Sequence, residues 1–255
     1  MIYIEENCEI CDNYAENNDK WSAPVTGEII RQAKKGIWEI ALTPTKPVPK
    51  DWFPDSLNDK KILCLASGGG WQGPILAALG ADVTVYDNVK KQLEMDEFVA
   101  NRDNLRIKTV QGNIQDLSVF EDERFDCIIH PWSNGCINYA RPVWKECARV
   151  LKKNGLLLTG FGYTIPYILE VDKLGDGVLR VKNNIPDTDM EHMEDMEIGA
   201  IAEEDGSIWS HTLEVRIQGQ IEAGFAIVGF YKDICRNVLD QYRSAFIATK
   251  AVKLQ

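Results

Sequence analysis

The stretch KILCLASGGGWQG at residues 61–73, followed by ADVTVYDN at residues 81–88, decides the fold of this chain. Lys61–Ala66 is a short apolar run and predicts a buried strand, which the following glycines end. Trp71–Leu79 has the composition of a helix, and Asp82–Tyr86 is rich in the β-branched residues that favour strands. A strand, a glycine-rich turn, a helix and a second strand together predict the first unit of a parallel sheet.

The same alternation continues towards the C-terminus. Strands that alternate with helices predict an α/β fold in which both faces of a mostly parallel sheet are covered. The sequence predicts further helices over Val89–Ala100, Pro142–Leu151 (ended by Asn154–Gly155) and Thr212–Ala223, and further strands over Leu105–Val110, Phe125–Ile129, Leu156–Phe161, Phe225–Tyr231 and Phe246–Val252.

Two regions depart from this rhythm. Residues 1–60 are predicted to form an N-terminal helical and extended appendage over the active site, in front of a domain at 61–255. Within the appendage Thr26 is suited to cap a short helix, and the four prolines of LTPTKPVPKDWFP exclude a regular helix there. Residues 163–210 are predicted to form an acidic insertion, which is either a solvated segment or a lid over a ligand.

Composition and charge narrow the class of partner. The 255 residues are 45% hydrophobic and 26% charged, which excludes a disordered or fibrous chain. The net charge of −11 repels phosphate backbones and anionic lipids, so we expect neither nucleic-acid nor membrane partners. The acidic N-terminus lacks the apolar segment of a signal peptide, and a cytoplasmic protein is the expectation.

The cysteines do not predict a metal centre. There are seven of them, an odd number that argues against a disulfide framework. Cys8 and Cys11 form a lone CxxC pair, whereas a structural zinc site needs four ligands. We therefore expect no metal site.

The glycine turn and the acidic residue after the second strand predict a ribose-bearing cofactor. Exposed N–H groups at the helix start would favour an anion, and Asp87 ends the second strand beside the turn, where its carboxylate can accept from ribose hydroxyls. Gly68, Gly70 and Gly73 also satisfy the G-x-G-x-x-G pattern of dinucleotide-binding folds, with Asp87 19 residues beyond Gly68. The residues alone leave both cofactor classes open.

Residues 61–161 resemble the class I S-adenosylmethionine-dependent methyltransferases. In that family the first strand ends in a hydrophobic–acidic–hydrophobic–Gly-x-Gly-x-Gly pattern, which Gly68 and Gly70 match. Cys64 and Ala66 depart from the acidic residue and the first glycine. Cys64 removes a carboxylate that often orients the loop in the family, and Ala66 is a mild change only if its φ angle is negative.

Later motifs extend the resemblance. They are VQGNIQDL at 110–117, FDCIIH at 125–130, ARVLKKNG at 148–155 and EAGF at 222–225. Dinucleotide dehydrogenases do not usually show this set in this order. The resemblance therefore favours the methyltransferases, and more narrowly an uncharacterised bacterial branch of them. It implies a Rossmann-like, doubly wound, seven-stranded sheet, mostly parallel with an antiparallel C-terminal strand pair.

The resemblance also implies the site. In-line transfer of a methyl group from S-adenosylmethionine, leaving S-adenosylhomocysteine, requires mainly that the acceptor be held in line with the methyl group. The expected cofactor-binding residues are Ser67, Gly68, Gly69, Gly70, Asp87, Asn88, Gln92, Gly112, Asn113, Ile114 and His130. The expected substrate-pocket residues are Trp132, Ser133 and His211.

Several roles stay open on the sequence. His130 is the candidate general base, with a hydrogen bond to backbone or cofactor as its alternative. His211 either faces the pocket or has a capping or surface role. Trp21, Trp38 and Trp52 either contact a ligand or only pack.

Three functions follow as hypotheses. The favoured one is a methyltransferase that acts on a small-molecule acceptor. The others are a dinucleotide-dependent oxidoreductase on the same glycine turn, and a cofactor-binding regulatory protein without catalysis.

Overall fold

A computed structural model describes the greater part of the chain. The described residues are 23–132, 137, 139–162, 180–181, 201–203, 206–208, 211–234 and 244–255. Cys8, Cys11, Trp21 and Ser133 lie outside them, as does most of the predicted insertion at 163–210.

The elements follow the predicted alternation. The helices are α1 (Gly27–Lys34), α2 (Gln72–Ala78), α3 (Lys90–Asp103), α4 (Arg141–Val150) and α5 (Gly219–Glu222), with a 3₁₀ turn at Lys50–Trp52 and a π-helical turn at Glu214–Gln218. The strands are β1 (Lys61–Leu65), β2 (Asp82–Asp87), β3 (Ile107–Gln111), β4 (Phe125–His130), β5 (Leu151–Gly162), β6 (Ile201–Glu203), β7 (Gly206–Ile208), β8 (Phe225–Asp233) and β9 (Phe246–Lys253). None of the helices described is both long and apolar enough to cross a bilayer.

Seven strands form one sheet in the order β3-β2-β1-β4-β5-β9-β8. The ladders from β3 to β5 are parallel, and β9 runs antiparallel to both β5 and β8. The predicted Rossmann-like α/β sheet with an antiparallel C-terminal pair is thereby confirmed. Because the strand order reverses between β1 and β4, the carboxyl ends of these strands flank the crevice where such sheets bind ligands.

The N-terminal segment packs against one face of this sheet. Val25, Ile30 and Leu42 are buried in the same hydrophobic cluster as β1, α2 and α3. At Gly160 in β5, an added Cβ would stand 2.0 Å from the carbonyl oxygen of Leu42, so the two backbones are in direct contact. The division of the chain into an appendage at 1–60 and a domain at 61–255 stays a prediction.

A buried carboxylate fixes the proline-rich loop to the carboxyl end of β8. Asp233 accepts hydrogen bonds from the backbone N–H groups of Thr45, at 2.8 Å, and Lys46, at 3.0 Å, and from the Thr45 hydroxyl. Burial alone would raise the pKa of Asp233, but the hydrogen bonds from Thr45 outweigh burial and bring it below its usual value. These bonds hold the loop over the edge of the sheet at which β1 to β5 end.

Two predicted element boundaries are wrong. α4 ends at Val150, not at Asn154–Gly155, and the chain enters β5 directly at Leu151. The β4–β5 register jumps between residues 125 and 127, and Asn154, with a φ of +61°, lies in the resulting bulge. Residues that allow a positive φ suit a strand bulge as well as a helix end, and the bulge prevails here.

The predicted helix over Thr212–Ala223 is also modified. Its first part is the π-helical turn at Glu214–Gln218, and only Gly219–Glu222 form α5. Trp144 of α4 packs closely against this region. An added Cβ at Gly219 would stand only 2.7 Å from its indole ring. The indole N–H donates to the carbonyl of Val215 at 3.0 Å, which ties the π turn to α4.

Candidate functional site

The carboxyl ends of four neighbouring strands bring most of the predicted site residues to one edge of the sheet. The glycine loop follows β1, Asp87 ends β2, Gly112 follows β3, and His130 ends β4. The registers Leu65–Tyr86, Asp87–Gln111 and His130–Thr159 place these ends level across the sheet. The predicted cofactor residues are therefore adjacent in space.

The backbone N–H groups of Gly68, Gly69 and Gly70 all donate within the protein. Gly68 N–H donates to Asp87 Oδ2 at 3.0 Å, Gly69 N–H to the carbonyl of Gln92 at 2.9 Å, and Gly70 N–H to Asp96 Oδ2 at 3.1 Å. The expectation of N–H groups open to an anion concerns the helix start after the loop, and it stays a prediction. These three N–H groups supply no donor to a pyrophosphate, and Gly68–Gly70 instead form a shaped cradle.

The loop leaves little space for side chains. A Cβ at Gly68 would lie 2.6 Å from the Cβ of Gln92, and Gly70, whose φ is +72°, would bring a Cβ within 2.8 Å of Pro24. Ala66 has a φ of +45°, so the positive angle that makes alanine unfavourable is present. Its departure from the family's glycine is therefore not a mild change, because a left-handed alanine is strained.

Replacing Ala66 by glycine should relieve this strain. We expect Ala66→Gly to raise the unfolding free energy by about 0.5–1 kcal/mol, since the relief of roughly 1–2 kcal/mol exceeds the extra chain entropy of glycine. Ala77→Gly, inside α2, is the matched control and should lower it by about 0.5–1 kcal/mol. Denaturant unfolding of both variants measures the difference, and two changes of the same sign would contradict the strain at Ala66.

Asp87 is placed to receive a ribose. Its side chain is buried, with 9% of the residue exposed. Gly68 N–H donates to Oδ2 and Val89 N–H to Oδ1, each at 3.0 Å. Burial raises the pKa of Asp87, and these backbone hydrogen bonds oppose the rise. A carboxylate has about four acceptor positions, so it can accept from backbone and ligand hydroxyls together.

The next loop forms the other side of the crevice. Gly112 N–H donates to the carbonyl of Asp87 at 3.0 Å, and a Cβ at Gly112 would stand 2.0 Å from the Tyr86 hydroxyl. Asn113 Oδ1 accepts from the N–H of Gln115 at 3.0 Å, which leaves its second lone pair as an acceptor. Ile114, predicted to contact adenine, is mostly buried in the hydrophobic cluster of this face.

The residues after β2 also contact the site. The Asn88 carbonyl accepts from Gln111 Nε2 at 3.0 Å, at the end of β3. Gln92 lies against Gly68 and accepts from Gly69, so it belongs to the wall of the glycine loop.

The sequence missed Gln72 and Asp96. Gln72, the first residue of α2, lies 3.0 Å from the Ser67 hydroxyl through Oε1 and donates to the Ala41 carbonyl at 3.2 Å through Nε2. It thereby joins the glycine loop to the N-terminal segment. The only sequence signal was its position directly after the loop, whereas Asp96 lies 26 residues from Gly70 and gave none.

His130 is fully buried beneath the crevice. Its Nδ1 lies 2.9 Å from the carbonyl of Leu65, the last residue of β1. Since a carbonyl only accepts, Nδ1 carries the proton in this bond. The imidazole also lies edge-on to Trp144, with 6.1 Å between the ring centroids. This is the backbone interaction expected as the alternative, and the role of His130 as a general base stays a prediction.

An aromatic wall continues the crevice beyond His130. Trp132 is 49% exposed and stands edge-on to Phe246, with 5.5 Å between ring centroids. A Cβ at Gly162, the end of β5, would lie 2.9 Å from the Trp132 indole nitrogen. The predicted pocket residue Trp132 thus lies where β4, β5 and β9 meet.

The other described candidates for ligand contact pack within the protein. His211 is buried, with Nε2 2.9 Å from the Ile137 carbonyl, so a surface role is wrong. Trp52 is buried against Tyr231, with 5.2 Å between centroids, and Trp38 packs edge-on to Phe53 at 5.0 Å. The interpretation of Trp38 and Trp52 as packing residues is supported.

No group of three or more histidine, cysteine or acidic side chains is arranged to hold a metal ion within the described ranges. Cys64, Cys127 and Cys147 are buried free thiols. Burial raises the pKa of the Cys127 thiol to about 12, so it is protonated at neutral pH.

Comparison with known proteins agrees with this architecture. Residues 63–159 match a family model described as a methyltransferase domain. The chain is 47% identical over 252 residues to the uncharacterized methyltransferase YbaJ of Bacillus subtilis (strain 168), covering 98% of both chains. A ubiquinone biosynthesis O-methyltransferase of Pelagibacter ubique (strain HTCC1062) is 30% identical over 101 residues, 40% of this chain and 41% of that protein.

Solved structures show the same fold. A crystal structure of an S-adenosylmethionine-dependent methyltransferase from Listeria monocytogenes aligns with a TM-score of 0.60 at 20% identity. The alignment covers 81% of this chain and 96% of that one.

Proposed function

Because this chain belongs to the class I S-adenosylmethionine-dependent methyltransferases, we propose that it transfers the methyl group of S-adenosylmethionine to a small-molecule acceptor. The observation that carries the choice of acceptor is the half-exposed Trp132, which stands on Phe246 beside the end of β4. It offers an apolar surface next to the crevice in a chain whose net charge is −11.

The residues of the crevice fit the cofactor. In this proposal Asp87 binds the ribose hydroxyls, Asn113 and Ile114 contact the adenine, and Ser67 with Gly68–Gly70 lines the methionine portion. When bound, S-adenosylmethionine supplies an electrophilic methyl group. The chain itself needs no covalent intermediate, and its work is to bind the cofactor and align the acceptor.

The fit of the crevice to the cofactor rests on the shape of the glycine loop and on the carboxylate of Asp87. An added Cβ at Gly68 would stand 2.6 Å from the Cβ of Gln92 and 3.1 Å from Asp87 Oδ2, so a side chain there would displace the walls of the cradle. The buried Asp87 supplies the acceptor that ribose hydroxyls require. The oxidoreductase alternative gains no support, because the family match and the relatives described above are methyltransferases and the N–H groups of Gly68–Gly70 donate within the protein.

The acceptor side favours a compact ligand. The proline-rich loop, held by Asp233, and the aromatic pair of Trp132 and Phe246 stand at the same edge of the sheet. The acidic balance of the chain disfavours RNA, whose backbone is a polyanion. One relative that shares 30% identity over 101 residues is named for ubiquinone biosynthesis, which is small-molecule chemistry.

A labelled methyl donor tests this proposal. Purified protein is incubated with methyl-labelled S-adenosylmethionine and, separately, with the small-molecule, RNA and protein fractions of a bacterial extract. We expect label in the small-molecule fraction, and none when Asp87→Ala replaces the wild type. Label confined to RNA or protein would overturn the small-molecule acceptor.

Trp132 should affect the acceptor and not the cofactor. We expect Trp132→Ala to lower kcat/KM for the acceptor by roughly tenfold, since the loss of an aromatic contact surface costs about 1–2 kcal/mol, while the Kd of S-adenosylhomocysteine is unchanged. Trp38→Ala, at a partly buried tryptophan on the N-terminal segment, is the control and should leave kcat/KM unchanged. Weaker binding of S-adenosylhomocysteine to Trp132→Ala would assign the side chain to the cofactor instead.

A further inference from the structure

Asp96 is a buried carboxyl group behind the glycine loop. It lies in α3 with none of its surface exposed, and its Oδ2 accepts from Gly70 N–H at 3.1 Å. Its Oδ1 has no hydrogen-bond partner within the part of the chain that the structure describes. Gly73 leaves room for it, because an added Cβ there would stand 3.0 Å from Oδ1. The carboxyl group is thus wedged between α2 and α3, directly behind the loop.

The first strand offers no comparable acceptor. Cys64 stands in β1 where the family that the chain resembles has an acidic residue, and it is fully buried. Burial, reinforced by the nearby Asp96, raises the pKa of the Cys64 thiol well above its usual range, so the sulfur stays protonated. A thiol is only a weak acceptor for backbone N–H groups. The loop must therefore obtain its acceptor from another element.

The helix α3 supplies two contacts from one face. Gln92 and Asp96 are four residues apart, which places them one above the other on the helix. The Gln92 carbonyl accepts from Gly69 N–H at 2.9 Å, and Asp96 accepts from Gly70 N–H. Two successive N–H groups of the loop are thus held by α3, and the preceding Gly68 N–H is held by Asp87 at the end of β2.

We propose that Asp96 is the positioning residue of the cofactor loop, and that in this chain the carboxyl group that orients the loop comes from α3 and not from β1. The inference rests on the proposed function, because it takes this loop as the cofactor site. Asp96 does not touch the cofactor in this account. It sets the position of Gly70, and through it the cradle formed by Gly68–Gly70.

The charge state of Asp96 agrees with this role. Burial raises its pKa to about 8, the hydrogen bonds of Gly70 and Gly69 oppose the rise, and the negative charges of Asp87 and Glu97 add to it. With a pKa of about 8 the carboxyl group is mostly protonated at pH 7, and its Oδ2 can accept from Gly70 N–H in either charge state. An asparagine has the same shape and the same acceptor, so it should replace Asp96 with little loss.

Single variants separate this role from general packing. The Kd of S-adenosylhomocysteine, measured by calorimetric titration, should rise about tenfold or more in Asp96→Ala and stay within about threefold in Asp96→Asn. Glu94→Ala, on the exposed face of the same helix, is the control and should bind as the wild type does. Equal binding by Asp96→Ala and Glu94→Ala would overturn the proposal.

Moving the carboxyl group from α3 to β1 gives a sharper test of the proposal. Cys64→Asp alone should weaken binding, because it places a second carboxyl group beside Asp96. In the Asp96→Ala background the same substitution should strengthen binding about fivefold, a reversal of sign that simple packing does not produce. A double variant that binds no better than Asp96→Ala would overturn the proposal.

Failure of Asp96→Ala to fold would also be informative. If Asp96→Ala does not fold, recovery of folding in the double variant supports the proposal, and loss of folding in both overturns it. Asp87→Ala separates this inference from the site on which it rests. If Asp87→Ala weakens binding and Asp96→Ala does not, only the role of Asp96 fails, whereas unchanged binding in both would reject the cofactor site itself.

Discussion

Asp87→Ala is expected to weaken the binding of S-adenosylhomocysteine by roughly tenfold or more. Hydrogen bonds to a charged group contribute about 1.5–3 kcal/mol each, and every 1.4 kcal/mol is about tenfold in Kd. The substitution also removes the acceptor of Gly68 N–H, at 3.0 Å, so the loop loses a restraint along with the ribose contact. Calorimetric titration of the purified variant measures the change.

Two variants control this experiment. Asp82→Ala removes an exposed carboxylate from the opposite end of the same strand and should bind as the wild type does. Asp87→Asn keeps one side-chain acceptor and should show an intermediate loss. Unchanged affinity in a folded Asp87→Ala variant would remove Asp87 from the ribose site.

Gly160→Ala is expected to destabilise the protein by roughly 3 kcal/mol, at the upper end of the usual cost of overpacking. The new Cβ would stand 2.0 Å from the carbonyl oxygen of Leu42 and 2.7 Å from its carbonyl carbon, and a backbone cannot turn away as a side chain can. We expect the midpoint of thermal unfolding to fall by about 6–12 °C. Because Ala41 accepts from Gln72, the displaced segment should also loosen Ser67.

Gly27→Ala is the matched control for this experiment. Gly27 is the first residue of α1, and an added Cβ would meet only side-chain atoms, the nearest being Asp103 Oδ1 at 3.3 Å. Alanine favours a helix over glycine, so this variant should be as stable as the wild type or slightly more stable. Equal stability of the two variants would show that Leu42 is not held against β5.

The part of the site that sequence reasoning found depends on local pattern. Glycines after an apolar strand, and an acidic residue at the end of the next strand, fix Gly68 and Asp87 because parallel strands end at one edge. The same logic placed Trp132 beyond β4. These residues lie close to their strand ends, so their position in space follows from their position in the sequence.

The residues that sequence reasoning missed obtain their roles from contacts between segments that are far apart in the sequence. Asp96 belongs to no sequence motif, and its contact with Gly70 exists only because α3 packs behind the loop. Gln72 likewise gains its role from Ala41, which is 31 residues away. The burial of Leu42 could not be predicted either, because a proline-rich stretch has neither helical nor strand periodicity.

The errors have a common physical origin. Asn154–Gly155 is suited to end a helix, but the same freedom of backbone serves the bulge in β5. The φ of Ala66 is positive because the loop must turn sharply towards α2, and the identity of the residue does not reveal that angle. In both places the tertiary structure decides between conformations that the local sequence permits.

A crystal structure of the protein with S-adenosylhomocysteine tests the central claim most directly. The account predicts that both ribose hydroxyls lie about 2.6–3.2 Å from the carboxylate of Asp87, with the adenine against Ile114 and the sulfur facing Trp132. Ligand bound away from Asp87 and the Gly68–Gly70 loop would contradict it.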